Sequence, residues 1–317
     1  MRLSNLSGVV TLALTLPLLT FSCKEDPATP STEREGDFRV EMTDAPIDDA
    51  YVKAVVVTVA DIKVDGESLE GFNRSTVEVS ALVNGETDLL YSGQLAAKNY
   101  NKIELVLDDD PKAVNNGPGC YYINPDNQKK ALQVANDGVI TIQESKFSMA
   151  ADAAVTAVID FDLRKAFVRT QDETEPYALA AGTRLNQSLR FVEKDRTGML
   201  TGTVTNNSES EGEIVVYAYK QGTYTSTEAS ADRDDELFLN AVSSSKVNAN
   251  NEYTLSFLEA GAYELIAVSY KDQDSDGDLE IEAQFKVTAT GGLDLGLLQV
   301  KAESTTTADF NLSFPVG

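Results

Sequence analysis

Polar and apolar residues alternate with a period of two in many short blocks of this chain. Ile103 to Leu107 is one such block, and Leu279 to Val287 is another. This period indicates strands with one buried face, because successive side chains of a strand point to opposite sides of the sheet. Between the blocks, pairs such as Asn84-Gly85 and Asp137-Gly138 allow the positive φ of a tight turn. The pattern predicts an all-β protein of antiparallel, sandwich-like sheets.

The chain is long enough for two such domains. Its 317 residues, of which 42% are hydrophobic, are sufficient for two cores. A charged connector from Glu193 to Arg196 separates a strand that ends at Val192 from an alternating run that begins at Met199. We therefore predict one β domain over residues 38–193 and a second over residues 197–317.

The charged residues of the chain exclude several classes of function. The formal net charge is -25, which repels the phosphates of nucleic acid and makes divalent cations the natural counter-partners. The chain contains no histidine. That absence removes the commonest general base, the Ser-His-Asp and Cys-His nucleophile arrangements and most transition-metal sites. The composition therefore predicts a protein that is not an enzyme.

The first 26 residues have the pattern of a lipoprotein signal. Arg2 precedes an apolar run from Val9 to Leu19, which is too short to span a bilayer and is soon followed by Ser22 and Cys23. We predict a signal peptide over residues 1–22 and acylation of Cys23, with palmitate among the acyl chains, because two or more chains hold a protein durably on a membrane. The alternative is a cleaved signal that leaves Cys23 unmodified.

The residues after the cysteine predict a location. Lys24, Glu25 and Asp26 resemble the export signal by which Bacteroidota lipoproteins reach the outer leaflet of the outer membrane. The following stretch is poor in apolar residues and cannot bury enough surface to order itself, so residues 23–37 are predicted to form a flexible tether. We expect a lipid-anchored protein of the cell outer membrane that faces the extracellular side.

Several segments of the first predicted domain occur in the order of a known family. They are Phe38 to Pro46, Tyr51 to Val64, Tyr100 to Leu107, Val158 to Asp162 and Tyr177 to Phe191. In this order they resemble the family of domain of unknown function 4382, which is found in secreted bacterial lipoproteins. The resemblance implies a secreted β domain and no particular activity.

The second predicted domain resembles a different group. The matching segments are Leu200 to Val204, Ile214 to Tyr219, Tyr253 to Leu258 and Gly261 to Leu265. They resemble the strands of carboxypeptidase-regulatory-like, transthyretin-like sandwiches, which share a fold with starch-binding modules. The resemblance implies a β-sandwich and, through the fold relationship alone, a carbohydrate ligand.

The sharpest local motif is an acidic loop from Asp272 to Asp278. Carboxylates at alternate positions of a tight loop converge on one point, and Gly277 permits the turn, as in the first half of a Ca²⁺ loop. Ala283 stands where an EF-hand has a bidentate Glu, so Glu280 or Glu282 would complete the ligand shell. The alternative is a solvated acidic turn. The predicted ligands of a structural Ca²⁺ are Asp272, Asp274, Asp276, Asp278 and Glu282.

Other acidic residues are predicted to be solvated. Asp160 and Asp162 lie two apart on a strand and share one face, where paired carboxylates are one signature of a glycosidase, but a polar outer face is the favoured interpretation. The runs Asp108-Asp109-Asp110 and Asp232 to Glu236 are predicted to be solvated loops.

Tyrosines and one cysteine are the remaining candidates for chemistry. Sugar-binding faces stack rings on exposed aromatic side chains, but the chain has no Trp, and core packing is the default. Cys120 has no disulfide partner if Cys23 is acylated, and we predict a small half-buried residue there in preference to a reactive thiol. The tyrosines considered for stacking are Tyr121, Tyr122, Tyr217, Tyr219 and Tyr224.

These features favour a non-catalytic, surface-exposed outer-membrane lipoprotein that binds an extracellular ligand, with carbohydrate as the favoured class. The main alternative is a structural or adhesin-like spacer that contacts protein. A hydrolase driven by carboxylates is a third hypothesis. The sequence assigns no catalytic residue and no ligand-binding residue.

Overall fold

The computed structural model describes residues 34–44, 52–108, 119–172, 175–208, 210–230, 237–274, 279–290 and 298–313. Most of these residues lie in strands, and the prediction of an all-β fold is confirmed. The strands up to Glu193 and those from Thr197 form separate sheets, although both belong to one compact unit that begins at Arg34. We refer to residues 34–193 as the N-terminal half and to residues 197–313 as the C-terminal half. A short 3-10 turn, Lys194–Arg196, connects them.

The N-terminal half contains fifteen described strands and two short helices. The helices are α1 (Leu163–Ala166) and α2 (Gly182–Gln187). The strands are β1 (Glu35–Thr43), β2 (Ala54–Val64), β3 (Glu67–Ser68), β4 (Ser75–Glu78), β5 (Asp88–Ala96), β6 (Asn99–Tyr100), β7 (Ile103–Leu107), β8 (Tyr121–Ile123), β9 (Lys129–Ala131), β10 (Val139–Thr141), β11 (Phe147–Ser148), β12 (Ala154–Phe161), β13 (Phe167–Arg169), β14 (Tyr177–Leu179) and β15 (Leu189–Glu193).

Two sheets of the N-terminal half share one hydrophobic core. A four-stranded sheet has the order β15-β12-β1-β5, and a seven-stranded sheet has the order β10-β7-β2-β8-β9 with β3 and β4 also paired to β2. Phe38 and Val40 of β1 and Val57 and Ile62 of β2 meet in this core, as the alternation of apolar residues predicts. Most pairs are antiparallel, but β1 and β12 are parallel.

The C-terminal half is a sandwich of two five-stranded sheets. One sheet has the order β19-β16-β25-β22 with β24 paired to β16, and the other has the order β18-β17-β20-β21 with β23 paired to β20. The pairs of β16 with β24 and β25 are parallel. The strands are β16 (Thr197–Asn206), β17 (Glu213–Lys220), β18 (Ser243–Lys246), β19 (Glu252–Glu259), β20 (Gly261–Lys271), β21 (Glu280–Gln284), β22 (Lys286–Ala289), β23 (Leu298–Val300), β24 (Thr305–Thr307) and β25 (Phe310–Ser313).

The β17–β20 sheet is covered on both faces. Its inner face packs on the other sheet through residues such as Val216 and Tyr263. On its outer face Tyr217 packs against Phe238, with the ring centroids 4.4 Å apart. The segment 237–241 therefore forms a second layer over this sheet, and it is this layer that meets the N-terminal half. Among the described residues no helix has the length and apolar character needed to cross a membrane.

Candidate functional site

The junction between the two halves is built at the end of β12. Phe161 is fully buried in the core of the N-terminal half, so the alternation of the strand places Asp160 and Asp162 on its opposite side. Both aspartates are nevertheless buried, with 4% and 5% exposure, because the C-terminal half covers this face. The interpretation of this pair as a solvated outer face is therefore wrong.

Asp162 is the centre of a buried ion-pair cluster. Its Oδ2 lies 2.6 Å from Arg164 Nη2 and 3.0 Å from Lys165 Nζ. Arg164 Nε also donates to Asp162 Oδ1 at 3.0 Å, which makes the arginine pair bidentate. Burial by itself raises the pKa of Asp162, but Arg164 and Lys165 outweigh it and lower the pKa below its ordinary value. The carboxylate is thus ionised at neutral pH and cannot serve as the general acid of a glycosidase.

The two basic residues of this cluster reach across to the C-terminal half. Arg164 Nη1 donates to the carbonyl oxygen of Phe238 at 3.2 Å, and Lys165 Nζ donates to that of Ala241 at 3.2 Å. The guanidinium also lies over the ring of Tyr217, 5.4 Å from its centroid. Helix α1 therefore presents its charged side chains to the layer formed by segment 237–241.

A second ion pair crosses the junction nearby. Arg190, on β15, lies opposite Asp160 in the register of the sheet, and its Nη2 is 2.7 Å from Asp160 Oδ2. Its Nη1 donates to the carbonyl oxygen of Phe257 at 2.7 Å. Phe257 has a φ of 53°, a left-handed conformation that is costly for a bulky residue. Strain of this kind persists where surrounding contacts hold it, and the bond from Arg190 is one such contact.

Asp44 joins the same cluster from the end of β1. Its Oδ1 accepts a hydrogen bond from the backbone N–H of Leu163 at 3.0 Å, at the start of α1. Burial raises the pKa of Asp44 well above its ordinary value, and the charges of Asp162 and Asp160 add to the effect, although the bond from Leu163 opposes it. A buried carboxyl group beside two others is favoured in its protonated form.

A cleft of about 750 Å³ lies along this junction. The N-terminal half contributes Asp160, Lys165 and Arg190 to its lining, and the C-terminal half contributes Glu228 and Asn240 among others. Sequence reasoning missed this site. The available signal was the unbroken apolar stretch Ala157-Val158-Ile159, because a strand without alternation is typical of burial on both faces.

The acidic loop is partly described. Ligand atoms of Asp272, Asp274 and Glu280 all lie within 4.8 Å of one another, as a shared cation would require. Glu282 was the predicted fifth ligand, but its Oε2 instead accepts hydrogen bonds from Ser210, Ser269 and Gly212 N, so Glu280 takes its place in the cluster. Asp276 and Asp278 lie outside the described residues, and Ca²⁺ binding stays a prediction.

The tyrosines considered for sugar stacking are mostly core residues. Tyr122, Tyr217 and Tyr219 are buried, and Tyr121 and Tyr224 are half-buried. Leu89, at 52% exposure, is the exposed large hydrophobic side chain of the described part of the chain, so this part presents no exposed aromatic platform. The default expectation of core packing is confirmed for the three buried rings.

Cys120 and Asp108 are both more deeply buried than the sequence predicts. Cys120 is 2% exposed, more deeply buried than the predicted half-buried residue, with its Sγ 3.5 Å from the carbonyl oxygen of Asp108. Asp108 was predicted to be solvated, but it is 5% exposed and pairs with Arg74 at 2.8 Å. The rest of that acidic run, the run 232–236 and the lipidation and export residues Cys23, Lys24, Glu25 and Asp26 lie outside the described residues.

Part of the chain matches a known family model. Residues 35–181 match the model described as Domain of unknown function (DUF4382). The resemblance recognised in the sequence of the first predicted domain is thus confirmed for these residues. The carboxypeptidase-regulatory-like resemblance of the C-terminal half stays a prediction. No curated protein matches the chain.

Several solved structures share some similarity with the chain, and two pilins are among them. The minor pilin GBS52 of Streptococcus agalactiae is 6% identical, with 88% of this chain and 97% of the pilin covered and a TM-score of 0.21. BcpA, the major pilin subunit of Bacillus cereus, is 10% identical, with 89% of this chain and 100% of that chain covered and a TM-score of 0.22. TM-scores this low do not establish a common fold, and nothing about function follows from them.

Proposed function

We propose that the protein is a non-catalytic, lipid-anchored outer-membrane protein whose two β halves act as one rigid spacer that contacts other proteins outside the cell. The observation that carries this proposal is the buried junction, where Arg164, Lys165 and Arg190 bond to backbone carbonyl groups of the C-terminal half. Buried charges are costly unless they are paired. Here some of their partners lie in the other half, so the charges are fully paired only while the two halves stay in contact.

The geometry of these bonds supports rigidity. The Arg164 side chain is only 7% exposed, and its carboxylate partner, Asp162, belongs to the N-terminal half while two carbonyl acceptors belong to the other half. Movement of the halves apart would leave a buried guanidinium without its carbonyl partners, which is expensive in a region of low dielectric constant. The junction therefore favours a single relative arrangement of the halves.

The anchor is part of the same proposal and rests on the sequence. Acyl chains on Cys23 would hold the protein at the outer membrane, and the Lys24-Glu25-Asp26 signal would direct it to the extracellular side. Mass spectrometry of the mature N-terminus tests this directly, since the expected product begins with an acylated Cys23. A Cys23→Ser protein that still fractionates with the membranes would overturn the anchor but not the spacer.

The rigid arrangement can be tested with spin labels in the full-length protein. Cysteines would replace Asn127 in the N-terminal half and Asn250 in the C-terminal half, both exposed, while Cys120→Ala removes the buried thiol. We expect a single narrow distribution of the distance between the two labels in pulsed electron–electron double resonance. The control is a pair within one half, Lys98 and Asn127, and an inter-half distribution much broader than the control pair gives would contradict the proposal.

A carbohydrate ligand is the second candidate function. The described part of the chain lacks an exposed aromatic platform, so stacking does not support it. The polar cleft along the junction does, because carboxylate and guanidinium groups can bond to hydroxyl groups. A glycan array with the full-length protein distinguishes the two candidates, since a pure spacer binds no glycan.

A further inference from the structure

The cleft along the junction contains an unusual concentration of buried polar atoms without partners. Three residues that line this one cleft each have a buried side-chain polar atom with no hydrogen-bond partner among the described residues. The three atoms are Asp160 Oδ1, Arg190 Nε and Glu228 Oε1. Buried polar groups are normally paired, because an unpaired one costs about 1–3 kcal/mol. A group of such atoms around one cleft indicates that something else supplies their partners.

Asp160 and Arg190 form only half of the pair that they could make. Arg190 Nη2 bonds to Asp160 Oδ2 at 2.7 Å, whereas the other guanidinium and carboxylate atoms, Nε and Oδ1, are left over. A side-by-side arginine–carboxylate pair would use both. Instead, Arg190 Nη1 is directed to the carbonyl oxygen of Phe257. One hydroxyl group could satisfy both remaining atoms, since it accepts from Nε and donates to Oδ1.

Glu228 provides a further acceptor from the C-terminal half. Its Oε2 accepts hydrogen bonds from Tyr219 Oη and from Asn240 N, each at 3.0 Å, so the carboxylate is held in place. Its Oε1 has no partner among the described residues. A second hydroxyl group on the same ligand would donate to it. Each half therefore has, on a residue that lines this one cleft, a buried carboxylate oxygen without a partner among the described residues.

The charges of the cleft select the class of ligand. Five carboxylates and three basic side chains line it, so an anion is repelled. A cation is disfavoured beside Arg190 and Lys165, and the acidic cluster that could hold a metal in the described residues is a different one. A neutral molecule that both donates and accepts fits best. The volume of about 750 Å³ lies within the usual range of small-molecule sites.

We propose that this cleft binds a neutral, polyhydroxylated small molecule of the monosaccharide or disaccharide class, held by Asp160, Arg190 and Glu228. The unpartnered atoms are covered in the structure, so binding requires a shift of the side chains that cover them, and the Arg190 side chain is itself 24% exposed. The site rests on the second candidate function, a carbohydrate ligand, which it deepens, and it does not depend on the spacer role.

Calorimetry on the full-length protein, in a detergent without a sugar headgroup, tests the site. The probes are glucose, galactose, maltose and cellobiose, with glucuronate and glucosamine as charged counterparts. We expect at least one neutral probe to bind with a dissociation constant of about 1 mM or below and more tightly than either charged probe. No heat with any neutral probe up to about 100 mM, or tighter binding of a charged one, would overturn the proposal.

Two variants locate the binding. Asn240→Trp fills the cleft from an exposed position, and its matched control, Asn250→Trp, lies on an exposed loop that does not line the cleft. Glu228→Gln keeps an acceptor for Tyr219 and Asn240 but replaces the free oxygen by a donor. We expect at least about a tenfold loss of affinity for Asn240→Trp and Glu228→Gln and none for Asn250→Trp.

Failure of the sugar site and failure of the spacer proposal give different results. If Glu228→Gln does not fold, Asn240→Trp carries the test, because the bond that Asn240 makes to the described residues of the junction comes from its backbone N–H, which the substitution keeps. Unchanged binding by Asn240→Trp would place the ligand elsewhere and overturn the site. Absence of sugar binding together with a narrow inter-half distance would leave the spacer intact.

Discussion

Arg190 Nη1 lies 2.7 Å from the carbonyl oxygen of Phe257, and this bond joins the two halves at a residue whose φ is 53°. The register of β16 and β19 shifts between Gly198 and Leu200, so Ser256 and Phe257 together lie opposite Met199 in a β-bulge. Bulges redirect a strand locally. Here the irregular residue is also the one that receives the arginine from the other half.

The conformation of Phe257 can be tested with a matched pair of variants. Phe257→Gly and Phe257→Ala both remove the ring, which lies 5.9 Å from Lys194 Nζ, but only glycine adopts a positive φ without strain. We expect the glycine variant to be more stable than the alanine variant by roughly 1 kcal/mol in urea unfolding. An alanine variant of equal or greater stability would show that the left-handed conformation is not retained.

Loss of the central carboxylate should destabilise the junction strongly. Asp162→Asn leaves Arg164 and Lys165 buried without their counter-charge, and breaking a buried pair in this way costs about 3–5 kcal/mol. Chemical unfolding followed by circular dichroism measures the change. The control is Glu213→Gln, which removes an exposed pair with Lys246 at 2.9 Å and should cost less than about 1 kcal/mol. Similar losses for both variants would mean that the cluster is effectively solvated.

The strands around β12 show which parts of the fold the sequence predicts. The period-two pattern correctly predicts strands such as β7, because Ile103, Leu105 and Leu107 are all buried. The same rule fails for Asp160 and Asp162, because alternation distinguishes only the two faces of a strand and cannot tell whether solvent or a second set of sheets covers the polar one.

The candidate site was out of reach for a related reason. Arg164 and Arg190 pair with residues close in the sequence or the sheet, but their carbonyl acceptors at Phe238 and Phe257 are 74 and 67 residues away. Every residue has a backbone carbonyl group, so no sequence pattern predicts which carbonyl groups accept these hydrogen bonds. The acidic loop, in contrast, is local, and its spacing alone brought Asp272 and Asp274 into consideration.

Substitutions of Glu280 and Glu282 near the acidic loop should have different effects. If Ca²⁺ binds at Asp272, Asp274 and Glu280, then Glu280→Gln should weaken it by at least about tenfold, since hard cations require charged oxygen ligands. Glu282→Gln should leave the affinity unchanged but lower stability by about 1–3 kcal/mol, because its Oε2 accepts three hydrogen bonds. Calorimetric titration and thermal unfolding of the two variants measure these effects. Loss of Ca²⁺ binding in Glu282→Gln alone would favour the original ligand assignment.

Asp44 gives the pH dependence of the junction a definite sign. Burial raises its pKa in the folded protein above the ordinary value of 3.8, so between these two values the folded state holds a proton that the unfolded chain has released. The contribution of Asp44 to stability therefore falls as the pH rises through this window, and the loss is complete above the folded pKa. Asp162, whose pKa is lowered, contributes in the opposite direction, and its stabilisation is lost in acid.

Asp44→Asn should remove the loss of stability that Asp44 causes as the pH rises. The amide oxygen can still accept from Leu163 N, and the amide NH₂ replaces an oxygen that has no partner among the described residues. We expect the variant to match the wild type near pH 3.5 and to become progressively more stable than it as the pH approaches 8, in urea unfolding at about one-unit intervals. Asp126→Asn, at an exposed turn, serves as the control for the loss of one negative charge. A stability difference for Asp44→Asn that does not vary with pH would mean that Asp44 titrates normally and that the junction does not hold its proton.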